Sequence, residues 1–230
     1  MKQALLLDFD GTLADSSSGI YWSFSTAASF CGLKPPSLEE LRSAIGPPIG
    51  VLFNKFYACL PPESDATRQS FIACFRSHYD QVGFLRLHWY KNVESLFSWL
   101  SGRAIDVAIV TNKPTEPTKA LLHARGFDQN VSAIVGIDAL SHIGLPAFPS
   151  KANSIIYACQ LIGCSAANSL YVGDTLSDRT ASKEAGVPFV AATYGFHPWS
   201  ETDLCETTHV ASIEELLGNL ERLNLPERRL

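Results

Sequence analysis

Gln3-Ala4-Leu5-Leu6-Leu7-Asp8-Phe9-Asp10-Gly11-Thr12 is an apolar run that stops on two carboxylates and a glycine. An uninterrupted apolar run of this length, closed by acid, reads as a strand buried on both faces of a parallel sheet. Asp8 and Asp10 stand at i and i+2 where strand gives way to loop, so they can share one cation and one substrate. A carboxylate with an ordinary pKa of about 3.9 is ionised at neutral pH, so Asp8 needs no base before it attacks an electrophile such as phosphorus. Expulsion of an alkoxide demands a proton, which Asp10 can supply. Gly11 lets the backbone come close to a phosphoryl oxygen. A strand-end Asp capping a turn would account for one carboxylate, but poorly for two followed by Gly-Thr.

Residues 104–110, 131–135, 169–172 and 187–191 repeat the short apolar or β-branched pattern, bounded by Gly, Pro, Asp or Asn. Helix-length stretches separate most of them. Residues 92–100 put Val93, Leu96, Phe97 and Leu100 on one stripe; 118–125 stop at Gly126; 151–162 and 180–185 follow, the latter closed by Gly186. A capping box, Ser212-Ile213-Glu214-Glu215, opens a last helix to about residue 223. Strand then helix, repeated, predicts right-handed βαβ units in an α/β, doubly wound parallel sheet.

Residues 15–90 break the alternation, and no strand is read there. Ser16 to Ser18 can cap a helix ending at Cys31-Gly32, a second capping box starts at Ser37 and stops at Gly46, and helical segments follow near 50–60 and 63–82, split by Pro61-Pro62. The expectation is an all-α insert domain over 15–90 and a core made of 1–14 and 91–230. Ligands of such sheets sit beyond the carboxyl ends of the strands, so the insert is expected to act as a lid.

Three further segments stand at predicted strand ends or helix starts. Gly173-Asp174-Thr175-Leu176-Ser177-Asp178 offers two carboxylates of the hard-oxygen kind that suits Mg²⁺. Thr111-Asn112-Lys113 offers a hydroxyl and an amide to a phosphoryl oxygen. Lys151 opens a helix, where the macrodipole opposes a cation, so a role against phosphate charge gains weight. Each has an ordinary turn or surface reading when taken alone. Together they supply negative charge for a cation and donors for a phosphate, an arrangement that stabilises a pentavalent phosphorus electrostatically.

The order of these motifs resembles the haloacid dehalogenase superfamily of aspartyl-phosphate-forming hydrolases. Asp8-Phe9-Asp10-Gly11-Thr12-Leu13 is similar to its first motif, Thr111-Asn112-Lys113-Pro114 to its second and Gly173 through Asp178 to its fourth. The resemblance covers essentially the whole chain and implies a Rossmann-like core with a helical cap at 15–90. It implies Asp8 as nucleophile, Asp10 as acid/base, and Mg²⁺ held by Asp8, the Asp10 backbone carbonyl and Asp174, with Asp178 in support. Thr111, Asn112 and Gly11 would bind phosphate. Lys151 takes the third-motif role, although Pro146-Ala147-Phe148-Pro149-Ser150-Lys151 departs from the usual Lys-Pro arrangement. In the cap, Arg42-Ser43-Ala44-Ile45-Gly46-Pro47-Pro48 is similar to a segment of phosphoglycolate-phosphatase-like members, and Arg42 can pair with a substrate carboxylate, the alternative being an exposed helix arginine.

Composition bounds the alternatives. With 46% hydrophobic and 18% charged residues the 230-residue chain has ample material for a core, which excludes a disordered chain. Net charge is -5 and the cations are scattered, apart from Arg228 and Arg229, which argues against a nucleic acid polymer as partner. No apolar run approaches a secretory or membrane-spanning length, so a cytoplasmic protein with no membrane partner is expected. The six cysteines contain no CxxC pair and read as buried small apolar residues. His88-Trp89-Tyr90 reads as aromatic packing, and the loop Tyr194-Gly195-Phe196-His197-Pro198 borders the site without an assigned role. The leading expectation is a phosphatase acting on a small phosphorylated metabolite, phosphoglycolate-like. A sugar-phosphate mutase would share every core residue; a dehalogenase would leave Asp10 and Asp174 idle; a phosphonate-cleaving enzyme would need a cap lysine, and Lys34 and Lys55 have no such context; a non-catalytic protein predicts decay of an acidic set that is intact.

Overall fold

The computed structural model describes residues 2–59, 65–141 and 151–222. Expectations resting on Pro61-Pro62, Glu63, the Pro146-to-Ser150 stretch or Arg228 and Arg229 lie outside these residues. The chain divides into two compact units, Met1–Ala14 with Trp89–Leu230, and Asp15–His88.

The larger unit is built on a six-stranded sheet. Its strands are β1 (Gln3–Leu7), β4 (Ile105–Val110), β5 (Ala133–Val135), β6 (Ser169–Gly173), β7 (Phe189–Ala192) and β8 (His209–Val210). They are ordered β5-β4-β1-β6-β7-β8, and every paired neighbour is parallel. The chain moves outward from β1 through β4 to β5, then starts again on the other side at β6. That reversal makes the crevice beside β1 the topological switch point, where ligands of such sheets bind. Leu5, Leu6 and Leu7 are fully buried because β1 lies centrally and both faces are covered. Ala4, Leu6, Ala108 and Val110 share one face with Ile155, Ala158 and Ile162 of α7 (Ala152–Ile162). The α/β doubly wound parallel sheet read from the sequence is the fold observed.

Several boundaries differ. β5 starts at Ala133 rather than 131, and β8 is a two-residue strand with too little pattern to read. α6 (Thr115–His123) begins three residues early and carries Pro117 in its first turn, where a missing N–H costs nothing. α8 (Leu176–Glu184) begins four residues earlier than expected, because Thr175 and Asp178 form a capping box. α5 (Val93–Ser101), α9 (Glu201–Leu204) and α10 (Ile213–Arg222) complete this unit. Trp89 packs edge-on against Phe9 and Phe127 at 5.4 and 5.3 Å.

The smaller unit is helical: α1 (Ser17–Phe30), α2 (Leu38–Arg42), α3 (Ile49–Phe56) and α4 (Asp65–Gln81). Phe24, Phe53 and Phe71 form its core, with Phe71 ring centroids 4.8 Å from Phe24 and 5.0 Å from Phe53. α2 stops at Arg42, well before Gly46. Two-residue strands do occur at the passages between units, β2 (Ala14–Asp15) and β3 (His88–Trp89). The six cysteines are all free, and only Cys159 and Cys164 are buried; Cys59 and Cys205 are exposed, which corrects the expectation of six buried thiols.

Candidate active site

Asp8 follows β1 directly, and its N–H continues the β1–β6 ladder by donating to the Val172 carbonyl at 2.9 Å. Because Leu7 pairs with Val172, the residues after β1 and after β6 leave the sheet side by side. That register brings the carboxylates of Asp8, Asp174 and Asp178, all buried, within 4.8 Å of one another. Lys151, the N-cap residue of α7, reaches the same place and bridges Asp8 Oδ2 at 2.9 Å and Asp178 Oδ1 at 2.8 Å. Its side chain is 7% exposed, so this is a desolvated ion triad, not a surface pair.

The four groups are held differently. Asp178 is saturated: Oδ1 accepts from Lys151 Nζ and the Tyr171 hydroxyl, and Oδ2 accepts from the Thr175 N–H and hydroxyl. Asp8 Oδ1 accepts the Phe9 N–H at 2.7 Å. Asp174 Oδ2 accepts the Phe196 N–H at 2.7 Å, while its buried Oδ1 has no hydrogen-bond partner among the described residues.

Electrostatics follow from that wiring. Burial pushes the Asp8 carboxyl up to about 7; the Lys151 ammonium pulls against it and the Asp178 charge adds to it. Asp174 is pushed well above the carboxylate range by burial, then by the charges of Asp178 and Asp8. Burial would also raise Asp178, but Lys151 and the hydrogen bonds from Thr175 and Tyr171 together outweigh it and hold that carboxyl below its ordinary value. Burial works to lower Lys151, and the charges of Asp178 and Asp8 reverse that and raise it. One ammonium against three buried carboxylates leaves excess negative charge at hard oxygens. An unpartnered oxygen, carboxyls that burial and mutual repulsion push toward protonation, and an all-oxygen donor set together fit a divalent cation of the Mg²⁺ type.

Asp10 lies in the turn after β1. Its carboxylate is outside the cluster and faces Lys113, whose ammonium is 3.1 Å from Oδ1 and whose side chain is 1% exposed. Gly11 has φ +80, and a Cβ there would lie 2.1 Å from Asp174 Oδ2, so only glycine fits. Thr111 and Asn112 end β4, one buried and the other half-buried; the register Leu7 to Ile109 sets them at the same edge of the sheet as Asp8. Arg42 belongs to the helical unit, where its guanidinium pairs with Asp15 at 3.2 Å.

Lys113, Tyr171, Thr175 and Trp199 carry no site role in the sequence reading, and the loop 194–198 is read there only as bordering the site, without a role. Lys113 was visible inside Thr111-Asn112-Lys113, but a lysine defaults to the surface unless a buried acid awaits it. Thr175 was readable as a cap only by accepting Asp at the third helical position in place of Glu or Gln.

A family profile described as haloacid dehalogenase-like hydrolase matches residues 5–192. The chain belongs to that family. Among its relatives, a phosphoglycolate phosphatase of Rhodospirillum rubrum is 28% identical over 201 residues, covering 85% of this chain and 81% of the relative. A probable phosphatase, IndB, of Dickeya dadantii is 28% identical over 224 residues, covering 95% and 93%. A haloacid dehalogenase-like family hydrolase of Streptococcus pneumoniae has a similar structure, with a TM-score of 0.80, 25% identity, and coverage of 95% and 98%. The haloacid dehalogenase-like core and the parallel sheet therefore agree across sequence and fold. Among the described residues of this hydrolase, no helix is long and apolar enough to cross a membrane.

Proposed function

We propose that this family member, a phosphoric monoester hydrolase, works through an aspartyl-phosphate on Asp8 and takes a small phosphorylated metabolite of the phosphoglycolate type. The observation that carries the reading is the cluster itself: three buried carboxylates within 4.8 Å at the ends of adjacent strands, with Lys151 spanning two of them. A carboxylate oxygen of Asp8 attacks phosphorus, the bond from phosphorus to the ester oxygen breaks, and Asp10 gives that oxygen its proton. Asp10, now a carboxylate, takes a proton from water as the water oxygen attacks the phosphorus of the acyl phosphate. The Asp8 oxygen leaves and inorganic phosphate is released. Lys113 orients the Asp10 carboxyl through their 3.1 Å contact. Lys151, Thr111 and Asn112 face the charge that spreads over the phosphoryl oxygens. Asp8, Asp174 and the Asp10 carbonyl would hold Mg²⁺, which would neutralise charge at the phosphoryl group. Asp178, with both oxygens already engaged, serves as the anchor of Lys151.

The substrate class rests on the relatives named phosphoglycolate phosphatase. The test is hydrolysis of an aryl phosphate and of a phosphometabolite panel including 2-phosphoglycolate. Activity should require Mg²⁺ and vanish in Asp8→Asn; turnover that survives this substitution refutes the nucleophile.

A further inference from the structure

We propose that the loop from Tyr194 to Trp199, between β7 and α9, is a clamp that positions Asp174 for the cation. The inference rests on the Mg²⁺ reading above and extends it to residues outside the carboxylate cluster. Three contacts support it. The Phe196 N–H donates to Asp174 Oδ2 at 2.7 Å, which leaves Oδ1, buried and without a hydrogen-bond partner among the described residues, available to a cation. The Trp199 indole N–H donates to the Asp174 carbonyl at 2.9 Å, fixing the backbone of the same residue. The Tyr194 hydroxyl donates to the Thr12 carbonyl at 2.9 Å, so the loop also grips the turn that carries Asp10 and Gly11.

Close packing shows how little freedom remains. A Cβ on Gly195 would stand 2.3 Å from the Asp174 Cβ and 2.5 Å from both Asp174 Oδ2 and the Gly11 carbonyl oxygen. Asp174 therefore lies between two glycines, Gly11 on one side and Gly195 on the other. The clamp is braced in turn by the Trp199 ring, which packs against His197 with centroids 5.0 Å apart and lies beneath the Arg179 guanidinium at 5.7 Å. Arg179 is on α8, one residue after Asp178, so loop and helix hold the acidic cluster from both ends. Supporting hydrogen bonds of this sort fix the orientation of a carboxylate before the ion arrives.

The experiment is a Mn²⁺ titration of the metal-free full-length protein followed by electron paramagnetic resonance, on the parent, Trp199→Phe and Gly195→Ala. Trp199→Phe keeps the aromatic packing and removes one donor, so the Mn²⁺ dissociation constant should rise about two- to tenfold. Gly195→Ala pushes Asp174 itself and should raise it about 10–100-fold. In both, the Mg²⁺ concentration for half-maximal rate should rise in parallel while KM at saturating Mg²⁺ moves less than about twofold. If Gly195→Ala does not fold, Trp199→Phe carries the test alone. Unchanged Mn²⁺ affinity in folded Trp199→Phe overturns the clamp, as does a rise in KM without a change in Mn²⁺ binding. A parent protein that binds no Mn²⁺ overturns the magnesium reading, and the clamp with it.

Discussion

Replacing Lys151 by Met removes the ammonium that bridges Asp8 and Asp178 while keeping the length of the side chain. Asp8 and Asp178 lose contacts of 2.9 and 2.8 Å, and all three carboxylates stay buried. Removing one partner of a buried ion pair costs about 3–5 kcal/mol. At roughly 2–4 °C per kcal/mol for a protein of this size, the metal-free variant should melt about 6–20 °C below the parent. The loss should depend on pH in a definite direction. In the parent, the folded Asp8 carboxyl is raised from 3.8 to about 7. A raised group contributes stability below its unfolded pKa and loses it as pH climbs through the folded value. Deleting Lys151 removes the largest force holding Asp8 down and releases Asp178 to rise as well. At about pH 8 these groups lose stability whether they ionise without a partner or hold their protons against the solvent, so the deficit is large; at about pH 5.5 holding the protons costs less and the deficit shrinks. Thermal melts in chelator at both values measure it. A deficit that is equal at the two, or larger in acid, refutes the assignment of Lys151 as the counter-ion of this cluster.

Two other outcomes test neighbouring parts of the site. Asp10→Asn should bind substrate and depress turnover by about 10²–10⁴-fold in steady-state assays; equal rates would remove Asp10 as proton donor. Gly11→Ala places a methyl 2.1 Å from Asp174 Oδ2 at φ +80, so the Mg²⁺ needed for half-maximal aryl phosphate hydrolysis should rise about 10–100-fold, and an unchanged requirement would disprove the close contact.

The motifs that announced the site are contiguous. Residues 8–12 and 173–178 each join an apolar strand to its own acidic turn, so a local pattern was enough to find them. The alternation of strands and helices likewise follows from burial on two faces of a sheet, which is written in short apolar runs. Element ends were less legible where chemistry was atypical. α8 began early because Asp178 replaces the usual Glu in a capping box, and α6 began early because Pro117 is tolerated in a first turn. The two-residue β8 carries no period to detect.

What the sequence by itself determined was the set of acidic turns and the parallel α/β class, because both depend on residues within a few positions of each other. Only the tertiary structure decided that β6 lies beside β1, that Lys151 spans Asp8 and Asp178, that Lys113 is buried against Asp10, and that Phe196 and Trp199 hold Asp174. These partners are 20 to 160 or more positions apart along the chain. Strand order sets which of them meet, and strand order comes from packing the whole core, a sum over contacts that no single segment contains.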